Sequence, residues 1–186
     1  MANEKTTTTK KLGSLFVKLV LIWLSWKVFI WIAGEESTPV EDRMFPAFSA
    51  YWEQLNDWLR IVILHAANWL LHMLGYETVL EHNYVLRVLG HRGIALGNYC
   101  LGFQLMYYFI MLVMISDLSW PIKVFASITG VVLIQVMNIL RVAGLNLIDV
   151  HYNQYMVTLS HDYIFNFLVF GLLLLFYYWL LKMSSR

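Results

Sequence analysis

The chain has 186 residues, 60% of them hydrophobic and 16% aromatic against 13% charged. That balance, with a positive mean hydropathy, excludes a soluble domain of this size and marks an integral membrane protein. The net charge of +1 and the want of a basic stripe interleaved with aromatics exclude nucleic acid as a partner, and the single cysteine excludes an intrachain disulfide or a Cys-rich metal site.

Residues 1–11 are polar and lysine-bearing, and with the threonine run at 6–9 they predict a disordered cytoplasmic tail. The apolar run at 12–33 is long enough to cross a bilayer, since a helix rising about 1.5 Å per residue needs about 20 apolar residues to do so. Its length and aromatic content, with no small-residue cleavage site after it, predict a retained anchor and not a signal peptide. Lys27 inside it either snorkels to the headgroups or faces the bundle. Residues 50–75 carry Asn56, Asp57, Arg60, His65, Asn68 and His72 among tryptophans and leucines. So many polar groups predict a helix lying in the outer interface and not a crossing.

Between 79 and 98, two short strand-like pieces flank Gly90-His91-Arg92-Gly93, which predicts a β-hairpin. Three further apolar runs follow, at 101–116, at 120–136 or slightly beyond, and at 163–183. The first two are short for a span and need flanking residues or a thinned bilayer. The expected fold is therefore all-α and integral to the membrane, one domain over residues 12–186. It has about four transmembrane helices, an outer interfacial helix and a small β-hairpin before Cys100.

Lysines orient these spans. Lys5, Lys10, Lys11 and Lys18 precede or open the first, Lys123 marks the turn between the second and third, and Lys182 with Arg186 follow the fourth. With four crossings all lie on one side, and the acidic segments bearing Glu41, Asp57, Glu77, Asp149 and Asp162 lie on the other. The positive-inside rule then puts both termini in the cytoplasm. A crossing at 50–75 inverts Cys100 and everything after it.

In this topology Cys100 opens the second span, Arg141 closes the third and His161 opens the fourth, all on the outer side. A thiol with an ordinary pKa near 8.5 is only a few per cent thiolate at neutral pH, and it needs positive potential or a base to act as a nucleophile. The helix amino end, Arg141 and His161 supply those elements: Arg141 as a fixed charge or oxyanion donor, His161 as the proton acceptor and later donor.

Each residue taken alone has a plainer reading. Cys100 is then a small buried hydrophobe, Arg141 a headgroup anchor, and His161 a helix-start residue beside a capping Asp162. The joint placement favours a catalytic trio. Gln104, one helical turn from Cys100, and Asn138, leading with Gln135 to Arg141, are supporting or substrate-touching candidates together with Asp162; such amides also bond helix to helix. Tyr107, Tyr108, Tyr177, Tyr178 and Trp179 read as packing and interface belt.

Two rivals come from other classes. Six histidines admit a haem-binding electron carrier, with His65 and His72 sharing a helix face, but no two fall on facing spans. A non-catalytic membrane partner of exported proteins uses the outer surface without the thiol.

These residues resemble those of the exosortase and archaeosortase group of integral membrane cysteine transpeptidases. The likeness runs over about residues 70–171. It rests on Cys100-Leu101-Gly102, where the family has Cys-Ser-Gly, on Asn138-Ile139-Leu140-Arg141 for Asn-x-x-Arg, and on His161-Asp162. Leu101 departs from the small hydroxyl residue, and Phe165 and Asn166 stand where a glycine commonly follows His-Asp. The chain resembles a compact, four-span member.

The resemblance implies a protease or transpeptidase of a prokaryotic cell membrane that sorts exported proteins. Its substrates would bear a C-terminal tail of short motif, transmembrane helix and basic cluster, cut on the extracytoplasmic side. The acyl group passes to an unknown acceptor. The implied catalytic residues are Cys100, Arg141 and His161, and neither cofactor nor metal is implied.

Overall fold

The computed structural model describes residues 2–34, 38–82, 84–152 and 154–184. Residues 1–52 and 53–186 form two compact units. The described chain is mostly helical, with one small sheet.

In the first unit, helix α1 runs over Ala2–Ala33. It begins ahead of the threonine run, which is helical and not the disordered tail expected. Threonine costs only a few tenths of a kcal/mol per helical residue, and extending a helix that already exists avoids the cost of a nucleus. From residue 16 onward α1 exposes many large apolar side chains, among them Phe16, Leu21, Trp23, Val28 and Trp31, while Ile22, Trp26 and Ala33 are buried. So much exposed apolar surface on one helix suits lipid. Lys27 is exposed, with Nζ 5.9 Å from the centre of the Trp23 ring.

Gly34, at φ +84°, ends the helix, and the Arg43 side chain lies where a Cβ on Gly34 would stand. Arg43 Nε donates to the Thr38 carbonyl at 2.9 Å and Nη1 to the Ala33 carbonyl at 3.3 Å, placing a cation on the negative end of the helix.

Helix α2, Pro46–Met73, starts in the first unit and continues into the second. Its buried face repeats at helical spacing through Asn56, Arg60, Ile63, Leu64, Ala67 and Leu71, while Trp58, Val62 and Trp69 point outward. Asn56 and Arg60, two polar residues on this stripe, are thus turned into the protein.

The sheet that follows has three antiparallel strands in the order β1-β2-β3, formed by Thr78–Glu81, Val85–Val88 and Ile94–Ala95. The hairpin expected from sequence is β2–β3, with Leu86 opposite Ile94 and a turn through Gly90 and Gly93, both at positive φ. Strand β1 was not expected. It pairs along its length with β2, and Thr78 at its start bonds Asn68 and His72 of α2.

A 3-10 turn, Asn98–Leu101, carries the cysteine and leads through Gly102 into α3, Phe103–Ile115. Helix α4 is Trp120–His151, and α5, Gln154–Leu159, continues through a π-turn, Ser160–Ile164, into α6, Phe165–Ser184. The run expected to end near 136 is therefore a 32-residue helix, about 48 Å long against a hydrocarbon layer of about 30 Å. Its last part, with Asn146, Asp149 and His151, is too polar to register as a span in sequence but continues the helix unbroken.

Among the described residues two helical segments, Phe16–Ala33 and Trp120–His151, are long and apolar enough to cross a membrane, and Phe103–Ile115 and Phe165–Leu180 are shorter apolar helices. Helices α3 and α4 meet closely. A Cβ on Gly130 would stand 2.0 Å from the Phe109 ring, so the glycine sets their separation. The core of the second unit joins Leu64 and Leu71 of α2, Leu86 of β2, Leu101, Val113 of α3 and Ile134 and Val142 of α4.

Candidate active site

Cys100 is half-buried on the 3-10 turn, one residue short of Leu101, whose side chain is wholly buried in the core. That burial gives Leu101, where the related motif has a small hydroxyl residue, a packing role. Gly102 follows at φ +81°, and a Cβ there would come within 2.7 Å of Asn138 Nδ2 and 3.1 Å of Ile134 Cγ2. Only glycine fits both the left-handed backbone and the close approach.

The Leu101 carbonyl, released by the short turn, accepts hydrogen bonds from Asn138 Nδ2 at 3.1 Å and Gln135 Nε2 at 3.2 Å. The two amides also bond each other, Asn138 Nδ2 donating to Gln135 Oε1 at 3.3 Å. On the amino side, Asn98 accepts from Arg60 of α2 and donates to Glu53 Oε2 at 3.1 Å. The turn is held at its first and last residues.

His161 stands on the π-turn, where the Phe165 N–H bonds the Ser160 carbonyl five residues back. A π-turn inserts an extra residue into the helical path and re-aims the side chains around it, a geometry that recurs at functional sites. Here it brings His161 Nε2 to 3.5 Å from Cys100 Sγ. Arg141 Nη2 donates to the backbone carbonyl of His161 at 3.2 Å, linking the third member of the trio to the second.

Arg141 does not close its helix, as the sequence suggested. Helix α4 continues ten residues further, to His151, where Asp149 accepts from the Gly93 N–H at 3.1 Å and Asn146 Nδ2 donates to the Val142 carbonyl at 2.9 Å, its buried Oδ1 finding no partner among the described residues. The long helix thus presents Arg141 from its side.

A cavity of about 280 Å³ opens beside the thiol, its walls including Cys100, Gln104, Tyr108, Asn138, Arg141 and Asn166. Gln104 is exposed there and donates to the Tyr108 hydroxyl at 3.2 Å, so Tyr108, expected only to pack, takes part in the cavity wall. Asn138 is 6% exposed and serves the turn. Asp162 lies on the π-turn, but its side chain is outside the described residues.

Sequence reasoning placed Cys100, Arg141 and His161 together, and the structure brings them together. It passed over Arg60 and Asn98. Their signal was faint: an arginine on the inward stripe of α2, and an asparagine following Gly97 at the start of the cysteine turn.

His65 and His72 are exposed on α2. Among the described residues no group of three or more His, Cys, Asp or Glu side chains is arranged to hold a metal ion. The chemistry this arrangement supports is acyl transfer: a thiol against an imidazole, an arginine at the same cavity, and a recess large enough for a peptide side chain.

Residues 43–179 match a family model described as transmembrane exosortase (Exosortase_EpsH). Neither the curated proteins nor the solved structures yield a match.

Proposed function

Given that the chain belongs to the transmembrane exosortase family, a family of membrane cysteine transpeptidases that process sorting signals, we propose that Cys100 cleaves exported proteins at a C-terminal sorting tail. The observation that carries this reading is the 3.5 Å contact between Cys100 Sγ and His161 Nε2. Nucleophile and base often stand slightly apart until substrate is bound.

In the proposed reaction His161 Nε2 takes the thiol proton and Cys100 Sγ attacks the scissile carbonyl. As the tetrahedral adduct collapses, the carbon–nitrogen bond breaks and the imidazolium returns the proton to the departing amine, leaving a thioester on Cys100. An acceptor nucleophile, or water, then gives its proton to His161 and displaces the thiol. Arg141 supplies permanent positive charge at the cavity. A guanidinium carries five N–H donors, and with Arg141 at the cavity wall they serve the developing oxyanion.

The proposed setting is the extracytoplasmic face of a prokaryotic cell membrane, with both termini in the cytoplasm and substrates anchored in the same bilayer by their own helix. The length of α4 supports this. About 20 residues cross the hydrocarbon, so a helix entering at Trp120 leaves it near Arg141, and the remainder stands outside with the sheet. At the opposite end Lys123 Nζ donates to the Met114 carbonyl at 2.8 Å, putting a lysine on the carbonyl end of α3. Helix α2 lies outside the bilayer in this arrangement, its exposed tryptophans in the interface.

The test is processing of a tagged substrate that carries a C-terminal tail, followed in cells by gel shift and by intact-mass detection of a thioester on Cys100. The expected result is complete loss of processing in Cys100→Ala. Unchanged processing in that variant overturns the reading, and retained function in Cys100→Ser points to a non-catalytic partner of exported proteins.

A further inference from the structure

Arg60 lies in the middle of α2 with 2% of its surface exposed. Its guanidinium is engaged on every side: Nε donates to the Leu96 carbonyl at 2.9 Å, Nη1 pairs with Asp57, Nη2 donates to Asn98 Oδ1, and the group lies 4.4 Å from the centre of the Tyr84 ring. Burying a charge is expensive, and a well-packed apolar side chain of similar size often does as well or better for stability alone. What this arginine does that an apolar residue cannot is grip two points of one loop.

Leu96 and Asn98 flank Gly97, and Asn98 begins the turn that carries Cys100. The turn has no side-chain cap of its own at its amino end, and 3-10 hydrogen bonds are weaker than α-helical ones. Asn98 spends its amide on Arg60 and Glu53 instead. Since Asn138 and Gln135 hold Leu101 from α4, Cys100 sits between one anchor on each helix.

We propose that Arg60 is a positioning residue for the Cys100 nucleophile, acting through Asn98 and the Leu96 carbonyl to keep the thiol against His161. The proposal rests on the reading of Cys100 as the nucleophile. A lysine keeps the charge but lacks the planar fork that reaches the Leu96 carbonyl and the Asn98 amide together, so Arg60→Lys is a lesion here.

Cys100 is the chain's single cysteine, so its alkylation by iodoacetamide reads its environment directly in the full-length protein in detergent, with no substrate needed. Among the described residues, ionisable side chains at the thiol include His161 from the π-turn, Arg141 from α4, and Tyr99 and Tyr108 on the cavity wall. At pH 7 the rate depends on a base beside the thiol; at pH 9.5 an ordinary thiol is mostly thiolate without help.

Arg60→Lys is expected to lower the pH 7 rate by roughly tenfold and to leave the pH 9.5 rate within about twofold. Asn98→Ala, which keeps Arg60, is expected to do the same, and the double variant to be no slower than either single one, as for two parts of one linkage. Arg92→Gln, at the hairpin tip, is the control with unchanged rates. If Arg60→Lys does not fold, Asn98→Ala carries the test. Unchanged pH 7 rates, or both rates rising together as in a protein that has merely loosened, overturn the proposal. His161→Gln separates it from the reading beneath it: an unchanged pH 7 rate in that variant sinks the thiol–imidazole pair itself, while a fall there without a fall in Arg60→Lys sinks only the positioning role.

Discussion

Cys100 and His161 reach the same contact by different construction. The cysteine sits on a short turn that is fastened by side chains from two helices, Arg60 through Asn98 on one side and Asn138 with Gln135 on the other. The histidine sits on a continuous helical path and is placed by the path itself, through a π-turn, with Arg141 bonded to its backbone carbonyl. The nucleophile depends on specific polar partners some distance away in sequence, whereas the base depends on helix geometry. Substitutions around Cys100 should therefore disturb position, and substitutions at His161 should remove chemistry.

That contrast is sharpest at His161→Gln. The side chain is half-buried and forms no part of the core, so the melting temperature should hardly move. Processing of a tail-bearing substrate should fall by about 10²- to 10⁴-fold, the usual worth of a general acid–base group. Single-turnover rates on purified protein, set beside a thermal melt, check this; equal loss of stability and rate would mean that His161 is structural.

Gly102→Ala comes next. Its backbone lies at φ +81° and the new Cβ meets Asn138 Nδ2 at 2.7 Å, so the strain of about 1–3 kcal/mol falls on the very amide that holds the Leu101 carbonyl. Stability and processing should fall together, read by denaturant unfolding in detergent and by the same rate assay. A third expectation is smaller. Asn138→Ala should cost about 1 kcal/mol and Gln135→Ala less, since each leaves the other donor on the Leu101 carbonyl, but the double variant should cost more than the sum because it orphans a buried acceptor. Additive losses in a double-mutant cycle would show that the two amides act independently.

The sequence was most legible where residue type carried the chemistry. The cysteine before an apolar run, Asn138 to Arg141 and His161-Asp162 each announced themselves, and the glycine-bounded turn at 90–93 predicted the hairpin. It was least legible where a helix continued past its apolar part. Helix α4 runs on to His151 because Asp149 finds the Gly93 N–H, a contact 56 residues away that no local pattern carries. Strand β1 was hidden in the same way, four residues that become a strand by pairing with β2. The π-turn has no signature in Ser160 to Ile164 at all; only the Phe165 N–H bond to the Ser160 carbonyl reveals it. Arg60 was visible as a polar residue in α2, but a helix read as resting on an interface gives no reason to ask which way an arginine points.

The weakest expected effect lies at Gln104, and it measures how far the fastening of the cysteine extends into the cavity. Gln104 lines the cavity with Cys100 but is exposed, and its amide donates to the Tyr108 hydroxyl on the same helix at 3.2 Å. It holds neither the turn nor the π-turn. An exposed bond of this kind contributes about 0.5 kcal/mol or less to stability, so Gln104→Ala should leave thermal melting and Cys100 alkylation unchanged. If the cavity receives the substrate beside its scissile bond, the same substitution should raise KM by a few-fold with kcat nearly intact, the pattern of lost uniform binding. A fall in kcat at constant KM would instead put Gln104 in the transition-state machinery, and would extend the dependence on distant side chains from the turn that carries Cys100 to the wall that faces it.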